Sequence, residues 1–180
     1  MYKILLLTIT LSISLYGDAK KYIGASFGTY TEKFTNKNNT DKTSLTTLKV
    51  GYGDHKAYSI ELSLQKTTNN SNIFSKLDKN KYMFNVELIK AFDLDTFIIP
   101  FFKIGFGTGR VSIKDINKDS LYSGSFNLAA GSYIPLNNSL DIEIGVNYRY
   151  ISYEKFEKEN QIMSYKSNAT IFYTGLNFRF

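Results

Sequence analysis

Four basic and four acidic residues share one kind of placement in this 180-residue chain. Lys49, Lys103, Arg149 and Arg179, and Glu61, Glu87, Asp141 and Glu143, occupy polar positions in segments whose alternate residues are apolar. Opposite charges at such positions can meet across neighbouring strands, each exposed pair contributing about 0.2–1 kcal/mol and more once desolvated. Two chemistries suit them. One is a static core of ion pairs, kept paired because a lone buried charge is costly. The other is a set of pairs that exchange partners and open a narrow ion path. Four charges of each sign favour the static core. Catalysis is poorly supplied. The single histidine, His55, sits in a short turn beside Asp54, which reads as a turn former. Asp119, Glu154, Glu157 and Glu159 fall in polar connections and read as solvated charges. With no cysteine and one histidine, no metal set is available. No catalytic, cofactor-binding or metal-binding residue is assigned, and no cofactor is expected.

The elements that must position these charges are strands. Alternation of period two recurs in eight segments, separated by turn-rich stretches. They are Tyr22 to Thr31, Leu45 to Gly53, Ala57 to Gln65, Tyr82 to Phe92, Ile98 to Arg110, Ser123 to Ile134, Leu140 to Tyr150 and Asn168 to Phe180. The seventh is the cleanest, with Leu140, Ile142, Ile144, Val146, Tyr148 and Tyr150 opposing Asp141, Glu143, Gly145, Asn147 and Arg149. Centring the second hairpin on His55 sets Lys49 opposite Glu61, and centring the next on Asp95 sets Glu87 opposite Lys103. Arg179 then lies beside Asp141 or Glu143. Connections after the even segments are tight. Those after the odd ones are long and rich in Lys, Asn, Ser and Thr: Glu32 to Ser44, Lys66 to Lys81, Val111 to Tyr122, and Ser152 to Ser167.

Ten of the twelve glycines fall on the polar face, the exceptions being Gly17 and Gly124. An eight-stranded barrel has an interior just wide enough for side chains to fill, so the face that repeatedly omits them is the inner one. The apolar face then points outward, as lipid contact requires, and closure leaves no unpaired strand edge. Tyr22, Tyr52, Tyr58, Tyr82, Phe92, Tyr148 and Tyr150, near segment ends, read as aromatic girdles. A slightly polar mean hydropathy of −0.22 suits a barrel whose strands are half polar. A soluble eight-stranded barrel or sandwich would instead turn its apolar side chains inward. Residues 1–19 read as a secretory signal: Lys3, an apolar stretch from Ile4 to Leu15, then the small residues Gly17 and Ala19. Residues 20–180 form one barrel domain.

The eight-segment plan and the ending Phe172-Tyr173-Thr174-Gly175-Leu176-Asn177-Phe178-Arg179-Phe180 resemble the OmpA/OmpX-type small outer-membrane β-barrels. The resemblance covers the whole mature chain and implies an all-β, eight-stranded, antiparallel up-and-down transmembrane barrel in the Gram-negative outer membrane. It also implies that Phe172, Leu176, Phe178 and Phe180 form the terminal signal read by the β-barrel assembly machinery; Thr174 departs mildly from that pattern. No peptidoglycan-binding domain follows the barrel here, and the role of such a domain is not expected. The expected function is an outer-membrane barrel with a plugged polar lumen, structural or surface-interacting through its loops. The alternatives are a narrow gated ion pore and, less supported, a lipid A-modifying enzyme; an open general porin would need about twice as many strands. Expected partners are outer-membrane lipid and lipopolysaccharide, the assembly machinery, and a host or surface ligand, with no nucleic acid and a monomeric state. Lys33, Lys37 and Lys42, Lys76, Lys79 and Lys81, and Lys155, Lys158 and Lys166 cluster in three of the connections and suit anionic phosphates.

Overall fold

A computed structural model of the chain describes residues 19–35, 40–68, 80–112, 120–158 and 161–180. The segment read as a secretory signal lies outside them, except for its last residue. The strands are β1 (Lys20–Phe34), β2 (Thr40–Gly53), β3 (Tyr58–Thr68), β4 (Asn80–Ala91), β5 (Ile99–Ser112), β6 (Ser120–Pro135), β7 (Leu140–Tyr153), β8 (Phe156–Lys158), β9 (Gln161–Met163) and β10 (Lys166–Arg179). Eight of them close into a barrel in the order β1-β10-β7-β6-β5-β4-β3-β2, and β8 with β9 forms a separate small hairpin. Every barrel neighbour is antiparallel, including the closing pair of β1 and β10. The closed, eight-stranded, up-and-down architecture is the one the alternation predicts.

Period two decides which face each side chain takes. Along β3 exposed and buried residues alternate at every position from Tyr58 to Thr68. The outward set across the barrel is Leu, Ile, Val, Phe and Tyr, among them Leu48, Val50, Leu62, Phe84, Ile104, Ile144 and Leu176. The inward set is Ser, Asn, Gln and charged residues in the middle of the barrel, with an apolar cluster towards each end. Ile89, Ala91, Ile99, Phe101 and Tyr133 pack together near the tight turns. Tyr30, Phe34, Leu45, Val111, Leu121, Ile151, Tyr153, Tyr165, Ala169 and Ile171 fill the opposite end.

Two inward glycines make room for rings. A Cβ on Gly51 would lie 2.2 Å from the Tyr22 ring, and one on Gly145 would lie 2.7 Å from that of Tyr173. Tyr22, read from sequence as a girdle residue, is therefore an interior one: it is buried beside Gly51, whereas Tyr52, Tyr58, Tyr82, Phe92, Tyr148 and Tyr150 point outward.

At the end that carries the termini and tight turns, strand limits fall close to the sequence reading. At the other end the strands run on. β1 continues through Glu32 to Phe34, β2 starts at Thr40, and β7 reaches Tyr153. Their extensions pair in register, Thr31 with Lys42 and Lys33 with Thr40. Lengths of 11 to 16 residues exceed the 9–11 or so that cross a bilayer core, so part of the barrel stands clear of the hydrocarbon. Threonine-rich polar stretches resemble loops by composition, yet β-branched Thr suits a strand.

Candidate functional site

All eight charged residues singled out above face inward and are buried. The fold brings four of them into one cluster. Lys103 Nζ lies 2.9 Å from Glu61 Oε1 and 2.9 Å from Glu143 Oε1. Lys49 Nζ pairs with Glu143 and lies 3.6 Å from Glu61 Oε2. Tyr22 Oη donates to Glu61 Oε2 at 2.8 Å, and Asn177 Nδ2 donates to Glu143 Oε2 at 2.9 Å. Two lysines are thus shared between two glutamates, drawn from β2, β3, β5 and β7. Closer to the tight turns, Arg179 pairs with Asp141.

The expected cross-strand partners need correction. Lys49 sits opposite Ser63, and Lys103 opposite Ile89. Glu61 and Glu87 instead face each other across β3 and β4. Both hairpins are centred one residue further along than the sequence reading had them. In the first, Asp54 N bonds Tyr58 O and Ala57 N bonds Asp54 O, so the turn spans Asp54 to Ala57. Gly53, the last residue of β2, leads into that turn with φ of 146°, a conformation that side chains resist. A shift of two residues in partner leaves every side chain on its original face, and Lys49 still reaches Glu61 diagonally.

Arg149 and Glu87 stand apart from these pairs. Arg149 Nη1 donates to Gln65 Oε1 at 2.7 Å and approaches Met83 Sδ at 3.1 Å. Glu87 Oε1 accepts from Asn147 Nδ2 at 3.4 Å. Between the charge layers runs a neutral chain in which Asn127 Nδ2 donates to Asn85 Oδ1 and Asn85 Nδ2 to Ser63 Oγ, each at 3.1 Å. The cavity bordered by Lys49, Glu61, Glu87, Lys103 and Glu143, and by Thr47, Gln65 and Tyr173 among others, measures about 20 Å³.

A second ionic centre escaped the sequence reading. Lys81, grouped there with the connection lysines, lies inside the barrel, where its Nζ is 3.1 Å from Glu32 Oε2. Its ammonium also donates to Tyr153 Oη at 2.6 Å and Tyr30 Oη at 2.9 Å. Glu32 accepts from both phenols and from Ser167 Oγ. Asp41 is buried as well. Among the described residues the interior therefore holds five cations (Lys49, Lys81, Lys103, Arg149 and Arg179) against six carboxylates (Glu32, Asp41, Glu61, Glu87, Asp141 and Glu143), rather than four of each. The signal that could have found this centre is period two itself: Glu32 and Lys81 keep the inward phase of β1 and β4.

Outside the interior, Lys33, Lys42, Lys155 and Lys166 are exposed at the end away from the termini. Lys37, Lys76, Lys79, Asp119 and Glu159 lie outside the described residues. Phe172, Leu176, Phe178 and Phe180 share the outward face of the last strand and the residue that follows it. In the first tight turn, burial lowers the His55 pKa to about 4; Arg179 adds to the shift, and Asp54, 3.9 Å away, opposes it. Lys56 Nζ pairs with Asp93 at 2.7 Å, which raises the lysine pKa and lowers that of the aspartate. Among the described residues no group of His, Cys, Asp and Glu is arranged to hold a metal ion.

A closed antiparallel barrel, apolar outside and ionic inside, is a transmembrane β-barrel: it satisfies its own backbone in lipid and hides its charges from it. The chain belongs to the outer membrane protein β-barrel domain family, whose model matches residues 4–180. No curated protein matches it. Among solved structures it is similar to Neisserial surface protein A (NspA), with a TM-score of 0.69 and 15% identity over 91% of this chain and 100% of that one. The N-terminal β-barrel domain of Pseudomonas aeruginosa OprF follows with a TM-score of 0.54 and 11% identity, covering 87% and 97%. Ail, the attachment invasion locus protein of Yersinia pestis, aligns with a TM-score of 0.52 and 16% identity, covering 90% and 100%. The protein is an outer-membrane barrel. In such barrels the short turns face the periplasm, which puts the Lys49–Glu61–Lys103–Glu143 cluster in the periplasmic half and Glu32–Lys81 in the outer half.

Proposed function

We propose that the protein is a sealed, non-enzymatic barrel that contributes to envelope integrity and presents its outer loops as the interacting surface. The interior carries this reading. Two lysines and two glutamates tie four strands together, and the lumen cavity that they border, about 20 Å³, has room for roughly one water molecule. An ion path would need several buried pairs to part together, each an uncompensated charge in a confined interior. Planar-bilayer recording tests the proposal. The expected record is a flat baseline at neutral pH; steady ion-selective steps that change on Lys103→Ala or Glu87→Ala would replace the sealed barrel with a gated pore.

For the outer surface, exposed Lys33, Lys42 and Lys166 support an anionic partner such as lipopolysaccharide phosphate or an acidic host polymer. A structure of Ail contains the heparin analogue sucrose octasulfate; for the present chain the reading rests on its own lysines. Absence of enzymatic activity predicts an unchanged lipid A profile on overexpression. Export through a cleaved leader predicts a mature N-terminus close to Lys20, which N-terminal sequencing would read. Phe172, Leu176, Phe178 and Phe180 are proposed as the assembly signal, and the working unit as a monomer.

A further inference from the structure

At the periplasmic end the lumen opens as a bowl of about 950 Å³, a volume in the range of small organic ligand sites. The three tight turns form its rim, together with Lys20 at the start of β1 and Arg179 at the end of β10. His55 and Arg179 also line a small cavity beneath it, where Tyr22, Tyr133 and Asp141 join them. Part of the rim is apolar. Phe97 is 76% exposed and Leu136 54% exposed, and both line the bowl beside Ile99 and Pro135.

The polar groups around the bowl fall into two sets. Its acceptors are engaged by the turns themselves. Asp93 accepts from Lys56 Nζ through one oxygen and from Asp95 N through the other. Asp54 Oδ1 accepts from Lys56 N at 2.8 Å, and Asn137 Oδ1 from Ser139 N at 2.8 Å. The donors are left over. Lys20 Nζ reaches only the Asn138 carbonyl, at 3.4 Å, and the nearest charged partner of the His55 ring is Asp54 at 3.9 Å. Arg179, its side chain 3% exposed, commits Nη2 to Asp141, while Nε and Nη1 make no hydrogen bond. Unused donors on a buried guanidinium are costly until an acceptor reaches them.

We infer that this bowl binds the free carboxylate end of a short apolar peptide. The carboxylate supplies the acceptor oxygens that Lys20 and Arg179 lack, in charge-assisted hydrogen bonds. Phe97, Leu136 and Pro135 offer an apolar wall to the last side chain of the peptide. The side-chain amides of Asn137 and Asn138, on the rim, match its backbone groups. His55, whose pKa burial lowers to about 4, is neutral at physiological pH and adds a hydrogen-bonding group without adding charge. The bowl therefore suits one negative charge better than the two of a phosphate. The inference takes from the outer-membrane placement only the compartment that the bowl faces, and it is independent of whether the lumen conducts.

The experiment is proton NMR of the folded, full-length mature barrel in detergent micelles at neutral pH, with His55, the one histidine of the chain, as reporter. Three probes are titrated separately: acetyl-Ala-Ala-Phe with a free carboxylate, the same peptide as its C-terminal amide, and inorganic phosphate. The free acid is expected to shift the imidazole resonances saturably. The amide should bind about tenfold more weakly, the worth of one charge-assisted hydrogen bond, and phosphate should give no saturable shift. Two rim variants complete the test, each checked for folding by the heat-modifiable gel shift. Phe97→Ala should weaken the free acid roughly tenfold by removing apolar contact, and Lys20→Gln roughly threefold by removing an exposed charge. Equal binding of acid and amide would overturn the inference, as would phosphate binding as tightly as the acid. So would an unchanged affinity for the acid in both folded variants.

Discussion

The two halves of the lumen solve the same problem by different means. In the periplasmic half, charge meets charge: Lys49 and Lys103 are each shared by Glu61 and Glu143, so four strands are cross-linked through one cluster. In the outer half, the pair of Glu32 with Lys81 is wrapped in hydroxyls from Tyr30, Tyr153 and Ser167. That pair adjoins the apolar cluster to which Tyr30 and Tyr153 belong. The cluster in the periplasmic half depends on every member, because removing one carboxylate leaves two ammonium groups sharing the other. The pair in the outer half is buffered, because its phenols can still solvate whichever charge remains. Interior charge can thus be held by other charges or by neutral donors, and the two arrangements should fail differently.

The largest expected effect is at Glu143. Glu143→Ala leaves both lysines to share Glu61, and breaking a buried pair in this way costs about 3–5 kcal/mol. Urea unfolding from lipid vesicles, followed by the heat-modifiable gel shift, should show a large fall in midpoint or a failure to fold. A midpoint near that of the wild type would mean that water reaches the cluster, and would weaken the sealed-lumen reading as well. The outer half should give less. Lys81→Met leaves Glu32 with its three hydroxyl donors, so a loss of about 1–3 kcal/mol is expected, in the range for one unsatisfied buried group. Combining it with Glu32→Gln should recover part of that loss, since charge and counter-charge then leave together. If Lys81→Met proved as damaging as Glu143→Ala, the buffering by Tyr30 and Tyr153 would be wrong.

This difference also bears on what sequence can reveal. The four residues of the periplasmic cluster stand within runs such as Leu140 to Tyr150, where apolar neighbours on both sides announce the strand and its phase. Glu32 and Lys81 stand next to Thr31 and Lys33, and to Asn80 and Tyr82, with little apolar contrast, and so read as connections. Faces were legible because alternation has a period of two. Partners were not, because a hairpin recentred by one residue shifts the pairing by two and leaves every face unchanged. Gly124 stood out only as an exception, a glycine out of phase with the others, and the open wall around it required the register of three strands.

A smaller effect belongs to the periplasmic turns, which lie outside both lumen clusters. His55 is the only histidine of the chain, which makes it a clean probe. Its pKa of about 4 lies below the usual 6.5 or so because burial and Arg179 disfavour the imidazolium. The fold therefore favours neutral His55, a contribution fully present above about pH 6.5 and lost as the pH falls towards 4. Proton NMR of the imidazole should show a midpoint near 4, and a midpoint near 6.5 would place the ring in open water beyond the influence of Arg179. Carboxylates also protonate in this range, so the decisive measurement is a difference: Glu143-intact protein with His55→Gln should lose less stability between pH 6.5 and 4 than the wild type. By contrast, Lys56→Ala cuts an exposed pair with Asp93, screened by water and salt, and should leave the unfolding midpoint unchanged at physiological ionic strength. A clear loss there would show that the turn between β2 and β3 is braced against the next turn by this contact, and that the periplasmic cluster extends its cross-linking to the rim.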